Sequence, residues 1–164
     1  MRILGIDPGL QLTGYGCVDL AEGDIEPTFV EAGVIRLKAR APLDERLEQL
    51  HAELDEVIED LTPHRIVVEK LYSHYRHART AIIMGHARGV VLLVGRQRQL
   101  EFGELAATEV KKAVTGHGHA TKRQMQVAVM EQCRLRQVPE PPDVADALAI
   151  ALCAARRESA PAGS

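Results

Sequence analysis

With 164 residues, 46% of them hydrophobic and 26% charged, the chain is sized for one globular domain with a sizeable core. Its net charge of −3 excludes a surface that is basic throughout. Any nucleic-acid contact must therefore come from local basic patches, with the acidic residues gathered elsewhere.

Cys17, Cys133 and Cys153 are odd in number and widely spaced, with no CxxC pair. They read as small buried apolar residues in a reducing cytoplasm rather than as disulfides or a zinc site. Asp7 breaks the apolar start before it reaches the length of a signal peptide. The apolar run 90–94 (VVLLV) is far shorter than the roughly 20 residues that span a bilayer. A cytoplasmic protein away from membranes is the expectation.

In chain order, residues 2–8 (RILGIDP) predict a strand closed by Pro8-Gly9, and residues 12–20 a second strand with Gly14 and Gly16 inside it. Residues 27–37 predict a third, joined to the second through Glu22-Gly23-Asp24, and such short connections favour an antiparallel meander. From Asp44 the period changes: Leu47, Leu50, Leu54, Ile58 and Leu61 fall on one helical face until Pro63 stops the helix. Ile66-Val67-Val68 predicts a short buried strand, parallel to the first and ending in Glu69. Residues 72–80 look like a loop. A helix over 81–99 is apolar nearly all round and should be buried on more than one side, in the core or against another subunit. A fifth strand at 100–105, helices at 108–114 and 122–134, and a last helix at 142–157 complete the domain. The segment 158–164 is expected to be a disordered tail. Boundaries of 1–157 for the domain and an α/β class follow.

Four acids stand out. Asp7 and Glu69 each end an apolar strand, so neighbouring strands would bring both to one edge of the sheet. Asp143 and Asp146 are three residues apart at a helix start and share a face. Converging carboxylates repel and raise one another's pKa, a conflict that two Mg²⁺ ions remove. Such ions, about 3.5–4 Å apart, suit phosphodiester hydrolysis. Taken singly, each acid also fits a plain role: Asp7 before Pro-Gly as a turn residue, Asp143 as a favourable charge at a helix N-terminus.

Taken in order, Gly5-Ile6-Asp7-Pro8-Gly9 with Thr13-Gly14-Tyr15-Gly16, Val68-Glu69, Gly85-His86-Ala87-Arg88-Gly89, Val110-Lys111 and Asp143-Val144-Ala145-Asp146-Ala147-Leu148-Ala149 closely resemble the RuvC family of Holliday-junction resolvases. The resemblance implies an RNase H-like fold with a mixed five-stranded sheet flanked by helices. It implies a homodimer that makes paired nicks in a four-way DNA junction during recombination and repair, using Mg²⁺ or, as a substitute, Mn²⁺. Asp7, Glu69, Asp143 and Asp146 match the family's catalytic, metal-binding acids, and Asp143 stands where some relatives carry His. Water attack in line, with the 3′ oxygen leaving, would give a 5′-phosphate end.

Under the same resemblance Tyr72 takes the place of an aromatic that stacks on bases near the cut, followed by a basic, partly aromatic loop that includes Arg76. Lys111 and Lys122 match lysines near the scissile phosphate and supply the local patch that the net charge requires. A RuvA–RuvB branch-migration complex is a further partner that the resemblance raises, though no residue speaks for it. His117 and His119 flank Gly118 and read as a DNA-facing loop in preference to a zinc site, which usually takes four ligands. Competing readings are one half of an actin-like or sugar-kinase-like ATPase, a RuvC-like nuclease acting on RNA, and a non-catalytic junction-binding module.

Overall fold

The computed structural model describes residues 1–71 and 78–159. Five strands, β1 (Arg2–Asp7), β2 (Leu12–Asp19), β3 (Thr28–Arg36), β4 (Arg65–Glu69) and β5 (Glu101–Leu105), form one sheet in the order β3-β2-β1-β4-β5. The first three run antiparallel, as their short connections require, while β4 and β5 lie parallel to β1. Helices α1 (Leu43–Leu61) and α2 (Ala78–Gln97) cover one face. Helices α3 (Ala107–Thr115), α4 (Lys122–Gln132) and α5 (Pro142–Ser159) cover the other. This is the mixed α/β, RNase H-like arrangement of a five-stranded sheet flanked by helices expected from the sequence.

Strand alternation decides which face each side chain meets. In β1, Ile3 packs among α3–α5, whereas Leu4 and Ile6 pack among α1 and α2. In β4, Val67 takes the first face, and Ile66 and Val68 take the second. Extending the alternation by one residue sends Asp7 and Glu69 to the α5 side. Ile6 pairs with Val68, so the two acids emerge on adjacent strands at the same edge.

Helix α5 sits unusually close to the sheet because the residues beneath it lack side chains. A Cβ on Gly5 would overlap the Ala147 carbonyl, and one on Gly14 would overlap that of Asp143. Gly14 is the strand partner of Asp7. The glycine that admits the start of α5 therefore lies directly beside the acid that α5 must approach. Behind this contact the helix is fully apolar from Ala147 to Ala155, all of it buried.

Two expectations need correcting. The helix read over 81–99 spans Ala78–Gln97, and only its Ala87, Val91, Val94 and Gly95 side is buried in this chain. Ile82 is 62% and Leu93 52% exposed, so the outer face is apolar but uncovered. At 20 residues, α2 is also long and apolar enough to cross a bilayer by length and composition, which the run 90–94 alone did not suggest. Its inner face is built into the core that α1 and the sheet share. At the other end of the chain, Glu158 and Ser159 belong to α5 rather than to a tail. Glu158 pairs with Arg65, and the Ser159 hydroxyl donates to the Ile25 carbonyl at 3.2 Å. Residues 160–164 lie outside the described residues.

Substituting Gly14→Ala should force α5 outward. Overpacking against backbone costs about 1–3 kcal/mol, or roughly 3–10 °C of Tm in a domain of this size. Calorimetry checks this; an unchanged Tm would mean that α5 can lift from β2 freely.

Candidate functional site

Asp7 is the last residue of β1, and the turn after it is fastened by Thr13. That hydroxyl, fully buried, accepts from the Gly9 amide at 3.0 Å and donates to the Gly9 carbonyl at 2.8 Å. Glu69 is the last residue of β4. Asp143 and Asp146 lie in the first turns of α5, held against β2 and β1 by the glycine contacts. On the third side, α4 opens with a reciprocal cap. Thr121 Oγ1 accepts from the Gln124 amide at 3.2 Å, and Gln124 Oε1 accepts from the Thr121 amide at 2.9 Å. That cap fixes Lys122 as the first residue of the helix.

These elements enclose a cleft of about 240 Å³ whose polar lining is Asp7, Glu69, Asp146, Lys111, Thr121 and Lys122. A water occupies roughly 30 Å³, so the cleft has room for ions, their waters and part of a phosphate.

The electrostatics are those of acids held in conflict. Burial, then the charges of Asp146, Asp143 and Glu69, push the Asp7 carboxyl up from 3.8 to about 7, against the pull of Lys122. Partial loss of water raises Glu69, and Asp146 adds to the rise while Lys111 opposes it. Asp146 is raised first by burial and then by Asp143, with both lysines opposing. All three would accept a positive charge readily.

The structure thus brings Asp7, Glu69, Asp146, Lys111 and Lys122 to one place. Asp143 does not line the cleft, but its charge reaches Asp7 and Asp146. Among the described residues, no group of three or more Asp, Glu, His or Cys side chains is arranged to hold a metal ion unaided. His117 and His119 are exposed on the α3–α4 connection, and His117 opens onto a separate groove with Arg123. Tyr72 and Arg76, expected to grip DNA, lie outside the described residues. The acidic counterpart of the lysines sits on the opposite face of the sheet, where α1 exposes Asp44, Glu45, Glu48, Glu56, Glu59 and Asp60. The three cysteines are free and buried, and burial pushes the Cys17 thiol up to about 12.

The profile of the crossover junction endodeoxyribonuclease RuvC family matches residues 3–154. The chain belongs to the RuvC family. Its members are DNA-cleaving hydrolases, and that membership sets aside the actin-like reading. The crossover junction endodeoxyribonuclease RuvC of Rhodopirellula baltica is 47% identical over 92% of this chain and 84% of its own length. The RuvC of Desulforamulus reducens is 41% identical over 97% of this chain and 96% of its own. Among solved structures, Thermus thermophilus RuvC in complex with Holliday junction substrate superposes with a TM-score of 0.87. It is 32% identical and covers 97% of both chains.

Two RuvC-motif residues carry structural tasks that sequence reasoning did not assign. Thr13 fastens the turn after Asp7. Arg88 donates to the Glu69 carbonyl at 3.0 Å. An arginine inside a helix otherwise read as core was the available signal for the second.

The Asp7 shift has a stability consequence. Its folded pKa of about 7 lies above the ordinary 3.8, so the folded state holds the extra proton. Stability therefore falls as pH rises from about 4 through 7, and the cost is fully present above that. Without metal at pH 8, Asp7→Asn should be more stable by about 1–2 kcal/mol, a few degrees in Tm. The gain should vanish below about pH 4. A thermal melt series against pH checks both ends.

Proposed function

We propose that this RuvC-family chain is a Holliday-junction resolvase that nicks DNA by metal-dependent hydrolysis at the cleft holding Asp7, Glu69 and Asp146. The supporting observation is the convergence of those acids, from β1, β4 and α5, with two lysines in their field. A cleft of hard carboxylate oxygens, whose central member has its pKa pushed up to about 7 by burial and then by its neighbours' charges, suits a hard divalent cation, Mg²⁺ or Mn²⁺. Asp7, Glu69, Asp146 and Asp143 would hold two ions, with waters and phosphate oxygens completing the shells. The chemistry such ions supply is activation of a water and neutralisation of charge on the leaving 3′ oxygen, which leaves a 5′-phosphate.

The chain's own residues prepare that chemistry. Asp7, central to the cluster, sets the position around which the other acids gather. Lys111 and Lys122 draw the scissile phosphate into the cleft and offset part of the acids' repulsion when no cation is present. Tyr72 and Arg76 extend the grip to bases and backbone beyond the cut. Four-way junction DNA in the cytoplasm is the substrate, and a RuvA–RuvB complex is a natural supplier of positioned junctions.

The working unit is a homodimer. Ile82, Gly85, Gly89 and Leu93 fall on one exposed face of α2, and the space around both glycines is open. Glycines in a helix interior each cost about 1 kcal/mol, a cost that close approach of a second α2 would offset. Two-fold symmetry then pairs two clefts with two strands of a junction.

Incubation with a synthetic four-way junction, a linear duplex and a structured RNA, each with Mg²⁺, Mn²⁺ or EDTA, tests the reading. Symmetric nicks in the junction alone, only with metal, are expected; preferential RNA cleavage would replace it. Asp7→Asn should lower the nicking rate by at least about a thousandfold, as expected for loss of a central electrostatic group, while binding the junction as tightly as before. Leu93→Glu should yield a monomer in sedimentation, and a dimer that survives it would move the interface away from α2.

A further inference from the structure

Arg88 is the one cation set into the buried side of α2, and its guanidinium is engaged three times over. It donates to the Glu69 carbonyl at 3.0 Å, pairs with the Glu104 carboxylate, and lies 5.7 Å from the centre of the Phe102 ring. Its side chain is only 13% exposed. A desolvated charge is tolerated when it is paired and hydrogen-bonded in this way.

The geometry gives the contact a direction. Phe102 and Glu104 pair with Ile66 and Val68, whose side chains face α1 and α2. Arg88 therefore works from the back of the sheet, whereas the Glu69 side chain lies on the front, in the cleft. Beyond Glu69 the pairing of β4 ends with the Lys70 amide donating to the Leu105 carbonyl at 2.8 Å. Glu69 is thus a strand-terminal ligand candidate whose main chain is pinned from behind.

We propose that Arg88 is a positioning residue for the acid cluster. It holds the end of β4 so that the Glu69 carboxylate faces Asp7 and Asp146 before a divalent cation arrives. Residues that orient ligands from behind commonly govern metal affinity by ten- to a hundredfold, because a ligand already in place loses less freedom on binding. Lysine is a poor replacement, since one ammonium cannot serve carbonyl, carboxylate and ring together. This inference rests on the cleft being the metal centre proposed above.

The test uses the full chain with Arg88→Lys and Glu104→Gln, the second keeping the arginine but loosening its anchor. Four quantities are read: Mn²⁺ binding by calorimetry without DNA, Tm without metal, four-way-junction binding in EDTA, and junction nicking as Mn²⁺ is raised. Arg88→Lys should weaken Mn²⁺ binding about tenfold or more, with junction affinity unchanged and nicking restored by excess Mn²⁺. Glu104→Gln should shift Mn²⁺ binding the same way by less, with little change in Tm. Unchanged Mn²⁺ affinity in both variants overturns the proposal. So does weaker binding that appears only where the Tm collapses. A wild-type chain that binds no Mn²⁺ overturns the inference and the metal reading together. One that binds Mn²⁺ but cuts no junction removes the proposed function and leaves the Arg88 comparison intact.

Discussion

The contact on which the site depends is the near-bare meeting of α5 with the first two strands. Gly5 and Gly14 let the helix backbone settle against the strand backbone, close enough for the Asp143 carbonyl to occupy the place of a side chain. With ordinary residues at those positions, their Cβ atoms would meet the helix backbone and hold helix and sheet farther apart. Asp146 would then no longer share a cleft with Asp7. Packing and chemistry are linked through this seat: the apolar helix from Ala147 onward supplies the adhesion, and its first turns carry the acids.

The same closeness creates an electrostatic debt. Three acids are deprived of water and set against one another, and two lysines from α3 and α4 relieve only part of the repulsion. A domain that carries such a cluster holds less stability than its core would otherwise provide, in the way functional sites generally oppose stability. The arrangement also explains how an acidic protein can meet DNA. The exposed acids of α1 face away from the cleft, across the thickness of the sheet, so the lysines are not masked.

Much of this was legible in the residues. The alternation in β1 and the short apolar run of β4 placed Asp7 and Glu69 at strand ends, and the structure pairs those strands in parallel as read. Periodicity could not rank Asp143 against Asp146, because two residues three apart share a helical face. The difference arises from Gly14, a tertiary contact that draws one of them over the strand. For α2 periodicity left the core and a subunit face as open alternatives, because a face awaiting a partner and a face packed in the core have the same apolar composition. The end of α5 was missed for a related reason. Its last turn is secured by Arg65 and Ile25, both distant in sequence, and local propensity carries no record of them.

The placement of the acids along the chain also bears on when the cleft can form. Asp7 stands in β1, whereas Asp146 stands in α5, the last of the described elements in chain order. Early strands can pair as they emerge, yet the cleft lacks the wall that carries Asp146 until α5 has been made. A fragment that ends before α5 carries Asp7 and Glu69 without Asp146 and so holds only part of the acid cluster.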